Sequence, residues 1–158
     1  MKIEFDVKIT TAKMYDYMLK HNMTSFTGIL GEFIGILLVF GYFAYNRWAY
    51  LVAGIVVILY MPVTLYMKSS KQVALNPVFK EPLHYILDDT GITVRSGENE
   101  DSIEWSGIYK VTSTTRSIIL YTTRVNACIF PKDDLGADLV DVIQMISKHV
   151  EPKKVNIR

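Results

Sequence analysis

The side chains of this sequence that could do chemistry are carboxylates, three histidines and one thiol, and their spacing limits what they can do. Asp88 with Asp89, Asp133 with Asp134, and the run Glu98, Glu100, Asp101 and Glu104 each bring carboxylates together. A catalytic carboxylate pair needs a cleft and a proton-transfer partner, and neither can be read in these segments. Asp88 and Asp89 precede Gly91 as turn residues do, whereas Asp133 and Asp134 stand where a helix start accepts negative charge. His21, His84 and His149 lie far apart, while metal ligands come in close pairs. The lone Cys128 excludes an internal disulfide and a cysteine metal cluster. Neither a Gly-x-Ser-x-Gly elbow nor a phosphate-cradling glycine loop accompanies the plentiful serine and threonine. The sequence therefore reads as non-enzymatic, with no cofactor, no metal and no catalytic residue.

Glu32 stands apart, because it lies inside an apolar stretch. The chain has 158 residues, 50% of them apolar and 21% charged, with a net charge of +1. That balance leaves no footprint for nucleic acid. The apolar excess sits in two runs, Thr27 to Tyr45 and Trp48 to Met67, each about 20 residues and long enough to cross a hydrocarbon core. Only Asn46 and Arg47 separate them, so the two helices must form an antiparallel hairpin. Lys8, Lys13 and Lys20 precede the first run and Lys68, Lys71 and Lys80 follow the second, which places both termini in the cytoplasm of a multi-pass cell-membrane protein. Gly28, Gly31 and Gly35 share one helix face and form a stripe that admits close helix approach. A carboxylate beside that stripe is costly facing lipid. Glu32 either hydrogen-bonds Tyr60 or Thr64 at the same depth in the second span, or lines an ion or proton path in an oligomer or meets a partner's membrane helix, or snorkels to the interface.

The flanking segments have a different grammar. Ile3, Phe5, Val7 and Ile9 alternate with charged residues as in a half-buried strand, and Thr10 or Thr11 can cap an amphipathic helix carrying Met14, Tyr15, Met18 and Leu19. Beyond Pro82, short strands are expected at 83–87, 92–96, 102–105, 108–113, 117–121 and 126–130, then a helix from Pro131 to about Val150. The domain plan is 1–25 strand and helix, 26–67 transmembrane hairpin, 68–81 linker or helix extension, 82–150 cytoplasmic domain and 151–158 polar tail. This is an α+β membrane protein. Its strands and closing helix follow the element order of a small barrel of pleckstrin-homology type, which the N-terminal strand would join. Trp105 is either a core residue of that barrel or an exposed anchor. Arg95, Lys110, Arg116 and Arg124 could meet anionic headgroups or a partner.

The runs Tyr85 to Val94, Ile103-Glu-Trp105, Ile108 to Val111, Ile118 to Tyr121 and Ile129 to Lys132 resemble the YcxB-like family of bacterial membrane proteins. The resemblance covers most of the chain and implies the hairpin with a cytoplasmic C-terminal domain. It carries no active-site residues. The expected role is a membrane-anchored binding or regulatory module that offers its domain to a protein partner or to lipid headgroups. The alternative is an oligomeric channel or transporter subunit that uses the glycine-rich first span and Glu32.

Overall fold

The computed structural model describes residues 2–157. Strand β1 (Ile3–Val7) leads into helix α1 (Thr11–Met23), then two long helices, α2 (Phe26–Tyr45) and α3 (Trp48–Leu75). A block of strands follows: β2 (Leu83–Leu87), β3 (Gly91–Ser96), β4 (Asn99–Glu104), β5 (Lys110–Ser113), β6 (Ser117–Tyr121) and β7 (Ala127–Pro131). The chain ends with helices α4 (Lys132–Leu135) and α5 (Leu139–His149) and a short strand β8 (Val155–Asn156).

Local chemistry sets the helix boundaries. Thr10 Oγ1 accepts from the Lys13 N–H and starts α1, and Ser25 Oγ accepts from the Gly28 N–H at 3.1 Å and starts α2. Asn46, with φ 50°, ends α2 in the left-handed conformation that asparagine tolerates better than most residues. Arg47 alone then separates it from α3. The two helices run antiparallel as expected, since Gly41 packs against Tyr50, Gly54 against Val39 and Gly35 against Ile58. Helix α3 continues through Pro62 to Leu75, so the segment after Met67 is a helix extension rather than a loose linker. Helix α1 packs beside it, with the Tyr15 and Tyr66 rings 5.8 Å apart. Both long helices are apolar and long enough to span a membrane, and the chain leaves them uncovered: Phe26, Phe40, Phe43 and Val56 are all at least 60% exposed.

The strands form two sheets of four, ordered β1-β2-β3-β4 and β7-β6-β5-β8. The N-terminal strand joins the first, pairing Phe5 with Tyr85 and Val7 with Leu83. The alternation read from the sequence holds, with Ile3, Phe5 and Val7 buried and the residues between them exposed. The sheets do not close into a barrel, contrary to expectation. Two features explain the open edges. Pro131 ends β7 with no N–H to donate, and β4 reads Asn-Glu-Asp-Ser-Ile-Glu, an exposed charged edge of the kind that resists further pairing. The tail, read from the sequence only as polar, adds β8 parallel to β5, with Val155 opposite Val111. Gly97, at φ +59°, makes a tight two-residue reversal between Ser96 and Asn99, so β4 begins earlier than the sequence suggested.

Both sheets contribute to one core, where Phe130 lies edge-on to Phe5 and Tyr85 at centroid distances of 5.1 and 4.9 Å. Helix α5 covers it with Val142, Met145 and Ile146. The single C-terminal helix expected from Pro131 is broken at Gly136, φ +50°. Trp105 is a core residue, 6% exposed; its indole N–H donates to the Asp88 carbonyl at 2.8 Å and its ring stacks on His149.

Two polar contacts hold the arrangement at its corners. Lys13 of α1 meets Asp134 of α4 at 2.6 Å, with both side chains 21% exposed. Asp134→Ala is expected to cost about 1–3 kcal/mol, read as a lowered urea midpoint, while Asp141→Ala on exposed α5 surface should change it little. In the β2–β3 turn, the Asp88 carboxylate accepts from the Thr90 hydroxyl and from the Thr90 and Gly91 N–H groups, which hold its pKa below the usual value. Because the folded value is the lower one, this contribution is present above about pH 4 and fades as pH falls through the folded value. Asp88→Asn should therefore lessen the loss of stability on acidification, seen by comparing unfolding midpoints at neutral pH and below about pH 4.

Candidate binding groove

Near the β3–β4 turn, residues of both sheets line a groove of about 390 Å³. The strand registers set its floor: Tyr85, Val94 and Asp101 lie side by side across β2, β3 and β4, as do Ser96 and Asn99 one step along. Leu83 and Ile103 extend this surface, and Ala127 and Cys128 with Thr122 and Asn126 form the facing wall. The lining is mostly apolar with a polar rim, the usual composition of a ligand pocket. Burial raises the Tyr85 phenol well above its ordinary pKa and pushes the Cys128 thiol up to about 11. The thiol is thus protonated at neutral pH and is a wall, not a nucleophile.

A second cavity of about 350 Å³ adjoins it, sharing Val78, Ser96 and Asn99 and adding Glu81 and Glu98. On the other flank, a third of about 290 Å³ shares Leu83, Tyr85, Asn126 and Ala127 and reaches Met14 and Tyr17 of α1 and Gln72 of α3. The groove thus runs from the strand ends toward the helices. Among the described residues, no group of three His, Cys, Asp or Glu side chains could hold a metal ion.

The basic residues singled out in the sequence do not form one patch. Arg95 is tied to Glu100 across β3 and β4 at 2.5 Å. Lys110 lies over the Tyr121 ring at 4.7 Å, at the same end of the second sheet as Arg124 in the β6–β7 turn. Arg116 sits in the β5–β6 turn at the opposite end. Tyr17 fixes the Arg124 turn to α1, its hydroxyl donating to the Val125 carbonyl at 2.6 Å.

In the hairpin, the stripe Gly28, Gly31, Gly35 is divided. Only Gly35 faces α3, where an added Cβ would lie 2.6 Å from Ile58 Cγ1; Gly28 packs against the Asn22 carbonyl at the end of α1, and Gly31 has nothing within 4 Å. The residue that sequence reasoning missed is Gly54, whose Cβ position is 2.9 Å from the Gly35 carbonyl. It is the lone glycine of α3, and that was the available signal. Glu32 does not bond Tyr60 or Thr64. Thr64 Oγ1 donates to the Tyr60 and Met61 carbonyls, and Tyr60 is 69% exposed. Glu32 borders an apolar recess of about 250 Å³ with Met23, Gly28, Ile29, Phe33 and Ile36, and it has no hydrogen-bond or ion-pair partner among the described residues.

No curated protein and no solved structure matches the chain. Residues 87–146 match the model of the YcxB-like protein family, which bears out over that segment the resemblance read from the strands.

Proposed function

We propose that the protein is a non-enzymatic, membrane-anchored binding module. The hairpin α2–α3 crosses the membrane, both termini lie in the cytoplasm, and the two-sheet domain is held at the inner leaflet. The observation that carries this reading is the groove between the sheets, apolar within and polar at its rim, at the end of the domain where α3 enters β2. Two sheets over one core, with an amphipathic helix after the last long strand, support a domain of pleckstrin-homology type, although fold alone does not set function. Lys110 and Arg124 are placed to meet anionic headgroups beside that end, while the groove takes the partner.

Photo-crosslinking tests this directly. Benzoylphenylalanine at Ser96, on the groove floor, should give a discrete adduct in native membranes, whereas the same group at Thr115, at the far end of the second sheet, should not. Equal labelling from both positions, or from neither, would remove the groove from the account.

The unpartnered Glu32 supports a second reading, in which the hairpin associates with another membrane helix as a channel or transporter subunit. That reading requires oligomers that are stable in detergent and lost with Glu32→Gln. The binding-module reading expects the Ser96 adduct to survive that substitution.

A further inference from the structure

We infer that a recess between α1 and α3 holds the headgroup of an anionic phospholipid from the cytoplasmic leaflet. This goes beyond the binding groove and rests on the proposed membrane placement of the hairpin. The recess, of about 470 Å³, is lined by Met18 of α1 and by Lys68, Lys71, Gln72, Leu75 and Asn76 over the last turns of α3 and its cap. Its polar side chains are donors. Lys68 and Lys71 bring ammonium groups and Gln72 an amide, while the Asn76 Oδ1 is taken by the Val78 N–H at 3.1 Å, which leaves its amide nitrogen to donate. Neither lysine has a hydrogen-bond or ion-pair partner among the described residues. No carboxylate lines the recess: α3 contains none, and Asp16 of α1 accepts instead from the Thr114 hydroxyl at 2.7 Å. Both lysines precede the last turn of α3, whose free carbonyls would act against an anion.

One occupant fits both the charge and the surface beside it. Tyr60, Met67, Lys68, Lys71 and Leu75 share one face of α3, within about 100° on a wheel at 100° per residue. Tyr60 and Met67 are 69% and 66% exposed, so apolar surface on the span leads directly to the lysines. Lys68 follows the last residue of the apolar run, at the depth where lipid phosphates lie, and Lys71 one turn on can reach the same phosphate. The ligand must therefore join a long aliphatic part to an anion. A soluble phosphate lacks the first, and a zwitterionic lipid brings its own cation to compete with the lysines.

The test is methionine methyl NMR of the full-length protein in phosphatidylcholine nanodiscs with a rising fraction of phosphatidylglycerol. The Met18 methyl is expected to shift and to saturate. Lys68→Gln with Lys71→Gln, at two exposed positions, should raise the half-saturating fraction about tenfold or abolish saturation while the other methyls stay native. Lys153→Gln with Lys154→Gln, the same loss of charge on the C-terminal tail, should leave it unchanged. Glycerol phosphate added to pure phosphatidylcholine discs should not reproduce the shift. No saturable shift, an equal effect of the two double variants, or an equal response to glycerol phosphate overturns the inference. A spin label on the lipid acyl chain reports the placement separately, by broadening the Met61 methyl when the span lies in the bilayer. Broadening without a Met18 response removes the headgroup site alone; no broadening removes the membrane placement and the site with it.

Discussion

Gly54→Ala is expected to separate the two long helices, and Gly54→Leu to abolish their packing. A Cβ at Gly54 would stand 2.7 Å from Val39 Cγ2, 2.8 Å from the Val39 nitrogen and 2.9 Å from the Gly35 carbonyl. Two of those three atoms are backbone, so no rotamer change relieves the contact. The helices must move apart, giving up their dispersion contacts, which under the proposed membrane placement are what hold them together, because lipid is as apolar as they are. Gly31→Ala is the control, because nothing lies within 4 Å of its Cβ position. A disulfide between cysteines placed at Gly41 and Tyr50, which touch in the hairpin, reads the outcome in membranes after the native Cys128 is replaced by serine. It should form readily in the parent and in Gly31→Ala, and at least about tenfold more slowly in Gly54→Leu, the change expected for a lost contact of about 1.4 kcal/mol or more. Equal rates would mean that the hairpin does not pack through Gly54.

Phe130→Ala should produce the largest loss of stability in the two-sheet domain. Its ring is fully buried and contacts one aromatic from β1 and one from β2, so its removal leaves a void bounded by elements far apart in sequence. Such truncations cost about 3–5 kcal/mol, a large part of the roughly 5–15 kcal/mol that stabilises a domain. Unfolding in urea, followed by the fluorescence of Trp105, should show the midpoint falling steeply; a change below about 1 kcal/mol would contradict the shared core. Phe130→Leu, which keeps most of the volume, should lose far less.

How much of this was legible in the sequence follows from how local each feature is. The alternation of Ile3, Phe5, Val7 and Ile9 marks β1, because a strand with one buried face writes its period directly into the chain. The helical hairpin is equally plain, with apolar runs of spanning length, interrupted by a charge only at Glu32, on either side of Asn46 and Arg47. Features that depend on distant partners are not. Val155 and Asn156 sit in a polar tail and form a strand only because β5 offers an edge. The open edges at β4 and β7 arise from pairing that does not occur, which no single segment announces. Gly28, Gly31 and Gly35 share a face on a helical wheel, yet the partner's position decides which of them matters, and only Gly35 meets α3. The level of Glu32 beside Tyr60 to Thr64 follows from the turn, but its direction, toward Met23 and Phe33, does not. The groove was illegible for the same reason: it is assembled from β2, β3, β4 and the β6–β7 turn. The run Glu98, Glu100 and Asp101 and the linker residue Glu81 do not announce, from sequence, that Glu100 and Asp101 line the groove and Glu81 and Glu98 the adjoining cavity.

The most direct test of the central claim, a hairpin that holds the two-sheet domain at the inner face of a membrane, is thiol labelling of intact cells with a membrane-impermeant maleimide. With Cys128 replaced by serine, single cysteines are introduced at Asn46, between the long helices, and at Thr115, in the β5–β6 turn. Asn46→Cys is expected to label from outside the intact cell, and Thr115→Cys only after the membrane is opened. Labelling of Thr115→Cys in intact cells, or of Asn46→Cys only after permeabilisation, would contradict the account.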